Sequence, residues 1–207
     1  FSVLAAAEEN KLFFAPDTYM EKIAIGSNLP KNLVDLDNSV EKNISLLAEA
    51  KKTSPDKLTV CILNRPRHEK IISSLKKMNV NLKLITDGDV SGVIYVIDPN
   101  SPVDMYMGTG GGPEGVLAAA ALSCNGGQMQ TRLVLNADEA ARAKKMGITD
   151  LKKKYNIEDM VKGDVIFCAT GVTTGDLAKG VKDLGNEYEV NSFVLHKSEK
   201  TIKTVTS

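Results

Sequence analysis

Asn64-Arg65-Pro66-Arg67-His68 follows directly on the apolar run Leu58 to Leu63, with two arginines separated by one residue. Guanidinium groups are planar forks that grip phosphate through paired N–H donors, and a helix start behind them adds positive potential. A solvated basic turn is the competing reading of the same residues. Thr86-Asp87-Gly88-Asp89 follows a second apolar run, and its two carboxylates flank a glycine. Such a pair suits a metal, sugar hydroxyls, or the cap of a following helix. A cap needs only Asp89, which leaves Asp87 to be explained. In Met107 to Gly115, Gly110, Gly112 and Gly115 match the dinucleotide signature G-x-G-x-x-G. Pro113, however, removes an amide donor, and Glu114 puts a negative charge where phosphates would lie. An acid there makes sense if a divalent cation stands between it and the phosphate; otherwise it complements the helix dipole.

No Ser-His-Asp or Cys-His pairing is evident, and two histidines are too few for a His-based metal centre. His68 falls at helical spacing from Ile71, Ile72 and Leu75, which predicts a capping or half-buried ring. Oxygen ligands favour Mg2+ or Mn2+. Arginines beside a carboxylate for a hard metal indicate a phosphorylated substrate and metal-assisted phosphoryl transfer to water. Ala169 to Gly175 is a further glycine- and threonine-rich junction suited to an anion or to packing against the others. Arg142, Lys144, Lys145 and Lys152 to Lys154 lack interleaved aromatics apart from Tyr155 and read as a solvated face.

Ligands in open α/β sheets bind beyond the carboxyl ends of strands, so the elements around these junctions matter. Strands are expected at 58–63, 80–85, 105–108 and 128–135, with helices at 67–78, 90–97 and 113–124 between them. This alternation predicts an α/β fold, a layered α/β sandwich with a largely parallel sheet. Ser2 to Phe14 reads as a hairpin, Tyr19 to Ile25 as a short core segment, and Asn38 with Glu41 as a capping-box start for a helix to about Lys52. A charged helix is expected at 137–146 and a second fully buried strand at 165–169. The tail, at 188–195 and 201–205, alternates like strands. No repeat or linker divides the chain, so 1–207 is expected to be one compact unit.

The chain has 207 residues, 43% of them hydrophobic, with 26 basic against 26 acidic side chains. That excludes wholesale disorder and argues against a main role in gripping nucleic acid or an anionic membrane. No apolar run reaches membrane-span length. Cys61, Cys124 and Cys168 are scattered and odd in number, as expected of free thiols in a reducing compartment. The first residue is Phe1 and not an initiator Met, and the first ten residues, acidic at Glu8 and Glu9 and without a basic start, do not read as a signal peptide.

Six blocks, in order along the chain, resemble the class II fructose-1,6-bisphosphatases. They are Ala15 to Lys22, Arg65 to His68, Ile85 to Asp89, Gly111 to Gly115, Gly126 to Gln130 and Ala169 to Thr173. The resemblance implies hydrolysis of the 1-phosphate of fructose 1,6-bisphosphate in gluconeogenesis, on the layered fold of the lithium-sensitive phosphatases. It implies Mn2+ or Mg2+ in a two-metal site with Glu114 as a ligand. Tyr19, Arg65, Pro66 and Arg67 are implied substrate contacts, and Asp87, Gly88, Asp89 and Gly111 are implied contacts to sugar or phosphate. A cytoplasmic homo-oligomer is expected, acting on a small sugar bisphosphate without nucleic acid or membrane. Asn64 stands where the family commonly has Asp. The family's Asp-Pro-x-Glu-Gly-Thr motif is absent, so the catalytic residues and remaining metal carboxylates are expected upstream of Phe1, making this chain a C-terminal portion. An NAD(P)-dependent oxidoreductase using the 110–115 glycines and a non-catalytic phosphosugar-binding module are the alternatives.

Overall fold

Val60, Cys61, Ile62 and Leu63 are buried without interruption, which requires a strand covered on both faces. The computed structural model describes residues 1–206, and at 201, 202, 204 and 206 the backbone alone. The first half comprises β1 (Ser2–Ala7), β2 (Tyr19–Ile25), α1 (Val40–Ala50), β3 (Thr59–Leu63), α2 (Glu69–Lys77), β4 (Asn81–Ile85), α3 (Asp89–Ile94) and β5 (Met105–Gly111). Then come α4 (Gly112–Asn125), β6 (Gln128–Val134), α5 (Ala137–Lys145), β7 (Lys154–Asn156) and α6 (Ile157–Met160). The last strands are β8 (Val165–Thr170), β9 (Lys182–Asp183), β10 (Tyr188–Glu189), β11 (Asn191–His196) and β12 (Thr201–Thr206).

The central sheet has the order β4-β3-β5-β2-β6-β7. β3 runs parallel to β4 and β5. β2 is antiparallel to both β5 and β6, and β7 is antiparallel to β6. The sheet is therefore mixed, which corrects the expectation of a largely parallel one. Strands β3 to β6 do point one way, as the alternation implied. The antiparallel part comes from β7 at one edge and from β2, which enters from the N-terminal side and separates β5 from β6. A second sheet, β1-β8-β11-β12, is antiparallel throughout.

The layering holds. On one face of the central sheet α1 and α2 close a core of Ile23, Ile25, Ile44, Leu47, Val60, Leu75 and Met105. On the other, Met20, Ala24 and Tyr106 meet α3 and α4, and that core continues to Phe167 and Leu195 of the second sheet. Helix α4 lies between the sheets, with Ala118 to Leu122 at 0–1% exposure. Four successive alanines allow both sheets to approach closely at native packing density. Gly126 ends the helix in the left-handed conformation, φ 77°, which glycine adopts without steric cost.

Local corrections follow from tertiary pairing. β1 pairs with β8, not with Leu12 to Phe14, so the hairpin does not form; Leu12 bridges Val161 and Phe13 stacks on Tyr155. Ser39, one residue after Asn38, caps α1 by accepting from the Lys42 N–H. β8 alternates between buried and less buried positions, because only one face meets the core. Lys154 is less solvated than expected: it bridges Asp35 and Asp37 on the loop before α1.

Register places the conspicuous residues at one end of the sheet. Leu63 pairs with Ile85, so the turns after β3 and β4 are neighbours. Tyr19, the first residue of β2, pairs with Gly111, the last of β5.

Candidate active site

Three strand ends and one strand start build the site. After β3, the Asn64 N–H donates to the Ile85 carbonyl at 2.8 Å and Arg65 turns back on Leu63 at 2.9 Å. Pro66 to His68 form a single 3-10 turn, where proline's fixed φ suits the first position. His68 then links the turn to β5. Its Nδ1 lies 2.8 Å from the Leu63 carbonyl oxygen, and its Nε2 lies 2.8 Å from the Thr109 backbone nitrogen. The Thr109 N–H must donate, so Nε2 accepts and the proton resides on Nδ1. Burial pulls the ring below the ordinary imidazole range, in keeping with this neutral form. His68 takes the N-cap position of α2 without a side-chain cap, and at 1% exposure its ring is a buried cross-link, more enclosed than the capping or half-buried ring expected.

Arg67 is held beside that cross-link. Its Nε and Nη2 donate to the Thr109 carbonyl at 3.0 and 2.8 Å, and its guanidinium carbon stands 4.9 Å from the Tyr19 ring centroid. This fixes the plane of the fork, while Nη1 makes no hydrogen bond to protein among the described residues. Tyr19 is 51% exposed, not core as its place in an apolar segment suggested. Motif resemblance was the signal that found it. Arg65 and Pro66 are exposed at the same turn.

The aspartates separate by role. Gly88 takes the capping position of α3 at φ 79°, with no side-chain cap. Asp87 is exposed and accepts from the Gly88 N–H at 2.8 Å. Asp89 is buried and forms an ion pair with Lys22, which replaces the account of it as a cap. Lys22 was missed. Its signal was parity: it lies between Met20 and Ala24, on the face of β2 turned toward α4. Burial pulls its ammonium below the ordinary lysine range, opposed by Asp89 and Glu114.

The glycines form no phosphate-binding loop. Gly108, Gly110 and Gly111 belong to strand β5, which runs straight into α4. A Cβ on Gly110 would collide with the Asp89 carboxylate, and one on Gly111 with that of Glu114. Gly108, at φ 150°, faces the His68 ring across 3.2 Å from where a Cβ would stand. Glu114 is exposed in the first turn of α4, and its carboxylate lies over Gly111, putting negative charge at that helix start.

Glu114 suits a hard cation as a single oxygen ligand. Among the described residues no group of three or more His, Cys, Asp or Glu side chains is placed to share one. The described residues therefore do not by themselves build a metal centre.

The remaining motifs lie elsewhere. Thr170 and Gly171 are tied to β11 through Ser192 and Asn191. Asp176, in the following loop, pairs with Lys83. Gln128 and Gln130 brace the loop before α1, beside a cavity of about 410 Å³ at the opposite end of the sheet.

The family described as bacterial fructose-1,6-bisphosphatase, glpX-encoded, matches residues 1–207. A class 2 fructose-1,6-bisphosphatase of Haemophilus influenzae is 36% identical over 221 residues, covering 100% of the chain and 66% of that protein. A D-fructose 1,6-bisphosphatase class 2/sedoheptulose 1,7-bisphosphatase of Trichodesmium erythraeum is 35% identical over 99% of the chain and 63% of its own length. A similarly named protein of Acaryochloris marina is 35% identical over 99% and 62%. The chain thus spans less than two thirds of the length of each of these relatives.

Proposed function

The chain belongs to the family of glpX-encoded bacterial fructose-1,6-bisphosphatases, and from that premise we propose that the protein carrying it hydrolyses the 1-phosphate of fructose 1,6-bisphosphate. The observation that supports this most is the convergence of Tyr19, Arg67, Asp89 and Glu114 around one end of β5. On this reading Arg67, with Arg65 beside it, grips a phosphate, because its fork is pre-oriented by Thr109 and Tyr19. Tyr19 walls the sugar, and Asp87 and Asp89 accept its hydroxyls beside Gly88. Gly111 lets substrate approach the backbone. A divalent cation, Mn2+ or Mg2+, held by Glu114 and by further oxygen ligands, would polarise the phosphoryl group and activate water.

The same reading takes the fold to be that of the lithium-sensitive phosphatases and the protein to be a cytoplasmic homo-oligomer. Three free cysteines support a reducing compartment. No described helix is long and apolar enough to cross a membrane. Two relatives are also named sedoheptulose 1,7-bisphosphatases, so both sugars belong in the assay. The test is phosphate release by the intact polypeptide with Mn2+ or Mg2+, in wild type and Glu114→Gln. Metal-dependent release from fructose 1,6-bisphosphate that falls at least tenfold in the variant is expected. No release with either metal, or full activity in Glu114→Gln, would overturn the assignment.

A further inference from the structure

Lys22 occupies an unusual position for its chemistry. It is 2% exposed in a central strand, between the core residues Met20 and Ala24. Burying an ammonium costs several kcal/mol, and a buried ion pair is often no more stable than well-packed apolar residues of the same volume. Stability therefore gives little reason for a lysine here. Its pairing does. Lys22 Nζ meets the Asp89 carboxylate, with side-chain exposures of 1% and 10%. Both lie over Gly110, where the missing Cβ leaves space for the Asp89 carboxylate and where Lys22 Nζ would be 3.2 Å away.

A second observation points to the same strip of β5. The Tyr106 hydroxyl is buried and has no hydrogen-bond partner among the described residues. It lies 3.6 Å from where a Gly108 Cβ would stand. An unpaired buried hydroxyl is unfavourable, a cost removed when a polar atom arrives beside it. Gly108 and Gly110 thus leave room on this strip for the His68 ring and the Asp89 carboxylate, with the Tyr106 hydroxyl beside the first and the Lys22 ammonium beside the second.

We propose that Lys22 is a positioning residue: its ammonium holds the Asp89 carboxylate over the glycine strip of β5 as acceptor for a hydroxyl of the bound sugar. This rests on the sugar-bisphosphate reading above and adds to it the group that orients the acceptor. Asp89 is the first residue of α3, after Gly88 (φ 79°), and its carboxylate accepts from the Lys22 ammonium. Lys22 thereby restrains it from beneath.

The experiment is a double-mutant cycle in the intact polypeptide, with steady-state kinetics on fructose 1,6-bisphosphate. Absence of turnover in the wild type would sink the assignment of function and is distinct from the outcomes that follow. With turnover present, Lys22→Met should raise KM about tenfold with a smaller change in kcat, as expected for lost ground-state binding. Lys22→Arg should recover part of that loss. A lysine needed only for folding would lower the active fraction, and so kcat, at unchanged KM. Lys22→Met leaves Asp89 as an uncompensated buried charge and is the variant most exposed to misfolding. The Lys22→Met/Asp89→Asn pair carries no such charge, so its KM against that of Asp89→Asn alone decides the matter. Equal values support action through Asp89; a further increase in the double variant, or an unchanged KM in Lys22→Met, overturns it.

Discussion

The Arg67 guanidinium stacks on the Tyr19 ring at 4.9 Å while donating twice to the Thr109 carbonyl. One side chain thereby joins the turn after β3, the start of β2 and the end of β5. An exposed cation–π contact contributes only about 0.5–1 kcal/mol, so the value of the arrangement is geometric.

Arg67→Lys keeps the charge and loses both the fork and the stack. We expect KM for the sugar bisphosphate to rise about tenfold or more, with a melting temperature close to wild type. Steady-state kinetics beside calorimetry checks this. An unchanged KM would remove Arg67 from phosphate binding.

Gly111→Ala places a methyl group where the Glu114 carboxylate lies. The carboxylate must swing away, so metal should be needed at higher concentration for half-maximal activity, while stability falls by no more than about 1–3 kcal/mol. Titration of activity with Mn2+ gives the first quantity and urea unfolding the second. Equal metal dependence in both proteins would contradict the placement of Glu114.

His68→Ala loses two buried hydrogen bonds and leaves a void, at a cost of about 2–4 kcal/mol near neutral pH. The folded ring sits below the ordinary imidazole range, so the unfolded chain binds its proton first. Wild-type stability should drop as pH falls through about 6.5, levelling off below the folded value. The gap between wild type and variant should therefore narrow in acid. Urea midpoints across that range measure it, and a gap that widens would refute the neutral assignment.

His196 should behave in the opposite sense. Its Nε2 lies 2.8 Å from Asp164 and its Nδ1 3.3 Å from Glu199, and those carboxylates raise its pKa. Its contribution is complete below about 6.5 and is lost as pH rises through the raised folded value. The difference between wild type and His196→Asn should thus shrink toward alkaline pH. Asp164 is depressed to about 2, by Ser198 first and then His196. Its share persists above about 3.9 and disappears only as pH falls through the folded value. A gap independent of pH would show that the His196 pair does not form in solution.

Much of the architecture was legible in local pattern. Unbroken apolar runs at β3 and in α4, and helical spacing in α2, mark elements whose burial depends on near neighbours in the chain. Glycine, proline and charged residues mark the junctions between them. Arg67, Asp89 and Glu114 could be picked out because charge at a strand end is conspicuous against an apolar run. Tyr19 was reached only through motif resemblance and Lys22 was missed, because a tyrosine and a lysine in a short apolar segment look like a core ring and a solvent-facing charge.

What the chain's own order determined was the sequence of elements and which chemistry could gather at strand ends. Tertiary structure decided the rest: that β2 inserts antiparallel between β5 and β6, that Lys22 therefore meets Asp89 in the interior, and that His68 reaches Thr109. Each of these contacts joins residues remote in sequence. Their meeting depends on sheet order and strand direction, which hydropathy and spacing do not encode, since either direction of β2 would bury the same alternating face.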